Sequence, residues 1–390
     1  MPRRLPVYGV FLLAALMAAS YAMFGSFTPS TPQIWGNTGW QKLVAGDIPD
    51  AISDFQRALE ADPAFPYRWS DLGEALADAG KMQDAAYCFR RAVELAPDSP
   101  QIAIRAANFW FRAGSPDRAL SLESPVLNAA PEFDQMVFRS WIRMAGDISR
   151  ILTNGIGTDA RAARAFFDFL VSNGERPGLD ETWRWLESHG YTAPRQSRER
   201  VDLLLRWNAP AEAVEVWANH LAAEGRVYGK SRWVDNGGFE RNWEGGGFDW
   251  NSVACLGVSV SVDNTGAHSG GRSLRVDFDS KENLDFHHFF QRTWMPPGKY
   301  RLDGWIRTSG FTTDQGVGLR AVEPGHESEL NTSTTAITGT TSWTHVSEDF
   351  VIAGHARLIE IQILRKPSFS FDNHPRGTAW VDDIQVQPAR

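Results

Sequence analysis

The sequence predicts an array of helical hairpins followed by a two-sheet β-sandwich, behind an N-terminal export segment. Three observations carry this reading. Two early stretches superpose at a period of 34 residues, the hydrophobic period changes from 3.6 to 2 near residue 230, and the N-terminus is a positively started apolar run. At 390 residues the chain has room for two domains with cores of their own.

The first element is residues 1–28. Arg3 and Arg4 precede an uncharged run whose apolar part, Leu5 to Phe27, contains Phe11-Leu12-Leu13-Ala14-Ala15-Leu16-Met17. A positive start and an apolar core are the pattern of a bacterial export signal. Ser20 and Ala22 satisfy a small-x-small cleavage site, while the run is also close to the ~20 residues that cross a bilayer. Residues 1–28 therefore read either as a cleaved signal peptide or as a transmembrane anchor. Either way the positive start holds the N-terminus in the cytosol and sends the rest of the chain outside. The expected location is the periplasm or another extracytoplasmic space, on the inner membrane if the anchor is kept.

The second element is residues 32–225. Trp35, Gly39, Gly46, Ala51, Phe55, Ala58 and Pro63 lie 34 positions before Trp69, Gly73, Gly80, Ala85, Phe89, Ala92 and Pro97. The small residues suit close contact between antiparallel helices, Gly46 and Gly80 suit the turns, and the prolines end the second helices. This stretch resembles the tetratricopeptide repeat family, and the resemblance implies a protein partner held in the groove of the solenoid. A third copy keeps Trp110, Gly114, Ala119 and Pro131 but has Ala103 in place of the first Trp and Glu123 in place of the Phe. Residues 133–150, 159–173 and 179–188 are apolar at helical spacing, and 196–224 reads as a last hairpin. Solenoid units bury their faces only against neighbours, so the whole is expected as one α-solenoid, joined near Gly225–Lys230 to a β domain.

The third element is residues 233–390. Leu274, Val276 and Phe278, then Tyr300, Leu302 and Ile306, then Ile359, Ile361 and Ile363 alternate with polar neighbours, as half-buried strands do. Turn clusters such as Asn264-Thr265-Gly266 and Pro296-Pro297-Gly298 separate them. The order of blocks is Asn236-Gly237-Gly238-Phe239-Glu240, Ala267 to Leu274, Pro297-Gly298-Lys299-Tyr300, Ser342-Trp343-Thr344 and Trp380-Val381-Asp382-Asp383-Ile384. Over residues 233–387 this layout is similar to jelly-roll carbohydrate-binding modules with a galactose-binding-like fold. The resemblance implies a polysaccharide ligand and a structural calcium. Glu240 and Asp382 match its carboxylates, with Asp383 taking the place of Asp382 if the strand phase is the other one.

Strand phase also selects a candidate binding face. In 300–307 the apolar set places Trp305 opposite the core, together with Arg301, Asp303 and Arg307. An indole can stack on the C–H face of a sugar while the charged groups bond its hydroxyls. Arg320, Glu360 and Gln362 fall in polar phase on their own strands and are expected to extend this face. Trp343 and Trp380 are expected in the core.

No catalytic constellation emerges. His287-His288 should point to opposite faces of a strand. Gly245-Gly246-Gly247 lacks the Lys-Ser/Thr of a phosphate loop, and the 47 acidic residues form no recognisable motif, although a glycosidase pair is invisible to spacing alone. The chain is expected not to be an enzyme. A net charge of −8 offers no basis for nucleic-acid binding or for a basic membrane-binding surface, and Cys88 and Cys255 read as two buried thiols. Two function classes remain. One is an exported adaptor, with the solenoid on a protein and the sandwich on a glycan. In layout it resembles the repeat proteins that accompany bacterial exopolysaccharide and exosortase-type systems. The other is a structural subunit of an envelope assembly that binds no sugar.

Overall fold

A computed structural model describes residues 30–173, 176–228, 233–371 and 373–389. The expected export segment and part of the expected junction, 229–230, lie outside the described residues. The chain divides into two compact units, with the boundary between Tyr191 and Thr192.

Three helical hairpins open the first unit. They are α1 (Thr31–Val44) with α2 (Ile48–Ala61), α3 (Pro66–Asp78) with α4 (Met82–Leu95), and α5 (Pro100–Arg112) with α6 (Pro116–Ala129). The small positions of the repeat have a direct cause. A Cβ on Gly39 would stand 2.8 Å from the Phe55 ring, and one on Gly73 would stand 3.0 Å from the Phe89 ring. The turn residues Gly46, Gly80 and Gly114 hold φ of +85°, +74° and +73°, the left-handed region that favours glycine. Each second helix stops just before the expected proline, and each following first helix, α3 and α5, starts with another. Asp47 and Ser99 cap α2 and α5 by accepting the amides of Asp50 and Ile102.

Beyond the third hairpin come α7 (Asp134–Ala145), α8 (Ile148–Arg150) running into a π turn over Ile151–Ile156, α9 (Ala160–Asn173) and α10 (Arg176–His189). Trp141 and Glu123 are fully buried here, and the Trp141 Nε1–H donates to the Glu123 carboxylate. Cys88 is buried in α4 and its thiol is pushed up to about 11 by desolvation, whereas Cys255 is only half-buried. The expectation of two buried thiols therefore holds for Cys88 alone.

The second unit begins with α11 (Pro194–Arg206) and α12 (Pro210–Ala223) and continues into the sandwich. Trp217 of α12 meets Phe248 edge-on at 6.3 Å, Asp202 of α11 accepts the Gly247 amide at 2.9 Å, and Tyr228 bonds Thr293 at 3.1 Å. The strands are β1 (Trp250–Ser252), β2 (Val258–Asp263), β3 (Ser273–Asp279), β4 (Phe286–Met295), β5 (Gly298–Ser309), β6 (Gly318–Val322), β7 (Asn331–Ser333), β8 (Thr341–Ile352), β9 (Arg357–Arg365) and β10 (Arg376–Pro388). All pairings are antiparallel. One sheet has the order β1-β4-β9-β6-β7 and the other β2-β3-β10-β5-β8.

The core lies between the sheets. Leu274, Val276, Phe278, Leu302 and Ile306 of one meet Phe286, Phe289, Ile359, Ile361 and Ile363 of the other. Gly304 leaves its space to Leu319 of the facing sheet, whose Cδ1 is 2.6 Å from where a Cβ would be. The register of β4 slips between Phe286 and Phe289, and the His287 and His288 rings stack at 4.9 Å. The expected opposite orientation of these two histidines assumed an unbroken pleat. The register shift breaks it.

Candidate functional site

The phase of β5 is as expected. Leu302 and Ile306 are 1% and 0% exposed, and Arg301, Asp303, Trp305 and Arg307 stand on the outer face of their sheet. Arg301 is held by Asp349 of the neighbouring β8 through two bonds of 2.6 and 3.0 Å. Asp303 is paired with His345 Nε2 at 3.1 Å. The Arg307 guanidinium lies 4.0 Å over the Trp380 ring and 5.4 Å from that of Trp343. Trp343 and Trp380 are therefore not core residues. They are half-buried on the outer face, where Trp380 Nε1 donates to Asp263 at 2.6 Å.

Arg320, Glu360 and Gln362 are on the other sheet, on β6 and β9. There they form one network: Arg320 donates to Gln362 at 3.3 Å, Gln362 to Glu360 at 2.8 Å, and Arg292 to Glu360 at 3.1 Å. The seven expected residues thus form two groups on the outer faces of opposite sheets, not one face. Alternation reveals which side of a strand is polar. It carries no information about which sheet the strand joins.

Trp305 of the β5 group adjoins a cleft. A cavity of about 680 Å³ is lined by Trp305, by Asp383, Gln385 and Gln387 of β10, and by Asp235 and Arg241 of the segment leading into the sandwich. Two local features shape it. β10 bulges between Asp382 and Gln385, with Asp383 at φ +50°, so β10 lies against residues 236–240 beyond the point where β3 ends. Ile384 then donates its amide to Gly237 O at 2.9 Å, so close that a Cβ on Gly237 would come within 1.9 Å of the Ile384 carbonyl oxygen. Asp235 is 7% exposed and receives Arg226 at 2.9 Å and Arg241 at 3.0 and 3.2 Å.

The loop between β2 and β3 folds over this face. His268 stacks on Trp305 with centroids 3.8 Å apart and donates from Nδ1 to Asp383 Oδ2 at 2.7 Å, while Ser269 donates to Asp383 Oδ1 at 2.7 Å. His268, His345, Asp235 and Arg241 were not singled out from the sequence. The Ala267–Leu274 block marks the His268 loop, but its fold-back onto Trp305 is a long-range contact with no local signal.

The residues expected to hold calcium are engaged by backbone amides instead. Asp382 Oδ2 accepts the amides of His268 and Ser269 at 2.8 and 3.2 Å, and its Oδ1 accepts that of Asp383 at 2.8 Å. Glu240 Oε1 accepts the amides of Gly271 and Arg272 at 2.8 and 3.1 Å. Amide hydrogens thus take three acceptor positions of Asp382 and those of Glu240 Oε1, and each carboxylate serves its own pair of loop residues. Burial pushes Asp382 up to about 6. Among the described residues no three or more His, Cys, Asp or Glu side chains come together to hold a metal.

The helical unit carries its own charged surface. Asp71 on α3 receives Trp40 Nε1 at 3.1 Å from α1 and Arg105 at 2.9 Å from α5, with Arg68 at 3.9 Å. Arg105 lies 34 residues after Asp71, so equivalent positions on successive first helices are in contact. Arg112 pairs in the same way with Glu74 and with Asp78 at 3.3 Å.

A tetratricopeptide repeat model matches residues 37–100 and 71–131. Among solved structures, the chain is similar to the module TmCBM61 in complex with β-1,4-galactotriose (18% identity, 40% of this chain and 99% of that one, TM-score 0.28). It is also similar to the CBM22-1 xylan-binding domain of Paenibacillus barcinonensis Xyn10C (14%, 41% and 93%, TM-score 0.28). A third similarity is to the Yersinia enterocolitica type III secretion translocator chaperone SycD (18%, 31% and 95%, TM-score 0.28). No curated protein matches the chain.

Proposed function

We propose that this chain is an exported, non-enzymatic adaptor of bacterial exopolysaccharide or cell-envelope assembly. Its helical repeats take a protein partner and its sandwich binds a glycan. The observation that carries the glycan reading is Trp305, half-buried on an interior strand at the wall of a cleft of about 680 Å³ with a polar lining. Specific small-ligand sites combine such an apolar platform with a few fixed polar groups, within cavities of roughly this size. Asp235, Asp383, Gln385 and Gln387 supply the acceptors and donors for hydroxyl groups. Export would bring the chain to where polysaccharide is handled, and the apolar run 5–27 that carries that reading lies outside the described residues. Among the described residues no helix is long and apolar enough to cross a membrane.

Isothermal titration of the purified chain with β-1,4-galactotriose and xylohexaose tests the glycan reading, alongside a broader glycan array. Trp305→Ala should weaken binding by about tenfold or more, since stacking on the indole supplies much of the affinity. Binding that Trp305→Ala leaves intact would sink the site. A second reading, a structural envelope subunit without sugar, rests on His268, which already covers one face of the Trp305 ring at 3.8 Å. It predicts no titratable heat with any glycan.

A further inference from the structure

A second cavity, of about 310 Å³, adjoins the Trp305 cleft. Its walls include Arg198 and His220 of the α11–α12 hairpin and Asn242, Glu244 and Asp249 of the sandwich. The two cavities share Arg226, Asp235, Asn236 and Arg241, so they are neighbours across one ion-paired group, with Trp305 lining the first and the hairpin lining the second. Both lie within one compact unit, 192–390. The hairpin is fixed as a wall. Asp202 accepts the Gly247 amide, Arg198 pairs with Glu244, and the Trp217 ring is 3.0 Å from where a Gly247 Cβ would stand.

We infer that the glycan site extends from Trp305 onto the helical hairpin and takes an extended, uncharged oligosaccharide, with Arg198 and Arg241 as outlying contacts. This rests on the glycan reading given above. Length follows from this adjacency, because a single sugar on Trp305 would leave the hairpin end empty. Lack of charge follows from the lining. Arg198 is paired with Glu244, Arg226 with Glu224 and Asp235, and Arg241 with Asp235. Glu240, Asp249 and Asp383 add further carboxylates. Burial holds His220 below its ordinary value, which disfavours its charged form. A uronic-acid chain would therefore meet carboxylates with no unpaired cation among the described lining residues to offset them. Hydroxyls, in contrast, can both donate to the carboxylates and accept from the guanidinium groups.

The test is titration of the full chain with xylobiose, xylohexaose, galactobiose, galactohexaose and hexagalacturonate. One neutral hexasaccharide should bind on the order of tenfold more tightly than its disaccharide, and hexagalacturonate more weakly than either. Arg198→Ala should bring the hexasaccharide down to the affinity of the disaccharide while leaving the disaccharide unchanged, which also shows that the variant is folded. If disaccharide and hexasaccharide bind equally and Arg198→Ala affects neither, the glycan reading stands and the extension falls. Preference for hexagalacturonate overturns the charge inference. Absence of binding by every probe overturns the glycan reading and this inference with it.

Discussion

Glu123 is a carboxylate at a position built for a phenyl ring, and its cost can be worked out. It stands 34 residues after Phe89 and 68 after Phe55, both of which are fully buried. Glu123 is 1% exposed, and desolvation pushes its carboxyl up to about 7, against an opposing contribution from the Trp141 Nε1–H bond. The folded state therefore keeps a proton that the unfolded chain releases near the ordinary value of 4.5. Between those two values the native state binds more protons than the unfolded one, so stability falls as pH rises, and the loss is complete above about 7. At about 1.4 kcal/mol for each pH unit of the gap, the loss is about 3 kcal/mol. Glu123→Gln keeps the acceptor for Trp141 and removes the charge. Thermal melts followed by far-ultraviolet circular dichroism, at about pH 5 and about pH 8, should show that Gln abolishes much of the pH dependence of the helical transition. At the higher pH the variant should melt roughly 6–12 °C above the native chain, using the scaling for a unit of this size. Parallel pH profiles for the two proteins would refute the reasoning, because they would mean that Glu123 is either hydrated or ionised at no cost.

Three further outcomes are expected. Leu302→Ala should destabilise the sandwich by about 2–5 kcal/mol in urea unfolding, and Asp303→Ala should not, because only the first empties core space; equal losses would mean that the strand phase is reversed. Gly39→Val should cost the first hairpin about 1–3 kcal/mol, since the Phe55 ring already occupies the place of its side chain, and an unchanged melting temperature would show that the helices are not in contact there. An export-dependent reporter fused after residue 60 should be active, and Leu12→Asp with Leu16→Asp should silence it at about 2.5–3.5 kcal/mol per charge; continued activity in the double variant would remove the export assignment.

What the sequence made legible is what local physics encodes. The 34-residue period located every turn glycine and helix-ending proline of the first three hairpins, because steric demands on Gly39, Gly46 and Pro63 act within one hairpin. Strand phase was equally legible: Leu302 and Ile306 point inward and Trp305 outward, since pleat alternation is a property of the strand itself. Phase failed wherever the pleat is interrupted, at His287-His288 and at Asp382-Asp383. At the second of these, the bulge turns Ile384 inward although Trp380 and Asp382 both face out. Trp343 and Trp380 were misplaced for a different reason. Size and apolarity suggested burial, but a row of guanidinium groups, Arg275 and Arg307, gives these indoles a cation-rich outer face on which to stack.

Sheet membership was the largest gap, and it decides which expected residues remain candidates. Arg301, Asp303, Trp305 and Arg307 share nothing local that distinguishes them from Arg320, Glu360 and Gln362; both sets are simply polar phase. Pairing separates them, and hydrogen bonding then ranks them. On the first sheet Glu360 and Gln362 are 8% and 4% exposed, and they use their bonding capacity on Arg292, Arg320 and each other. A ligand there would have to replace charge-assisted bonds already made, and the Phe290 ring opposite Gln362 is already covered by the Arg292 guanidinium at 5.3 Å. On the second sheet the flanking charges are also paired, but the indole of Trp305 reaches a cleft whose other walls include amides, carboxylates, Trp233 and the guanidinium groups of Arg226 and Arg241. The asymmetry originates in one bulge. By shifting the register of β10 against β5 just past its last pairing with β3, the turn at Asp383 opens the cleft, brings two carboxylates under the His268 loop, and leaves Trp305 beside them.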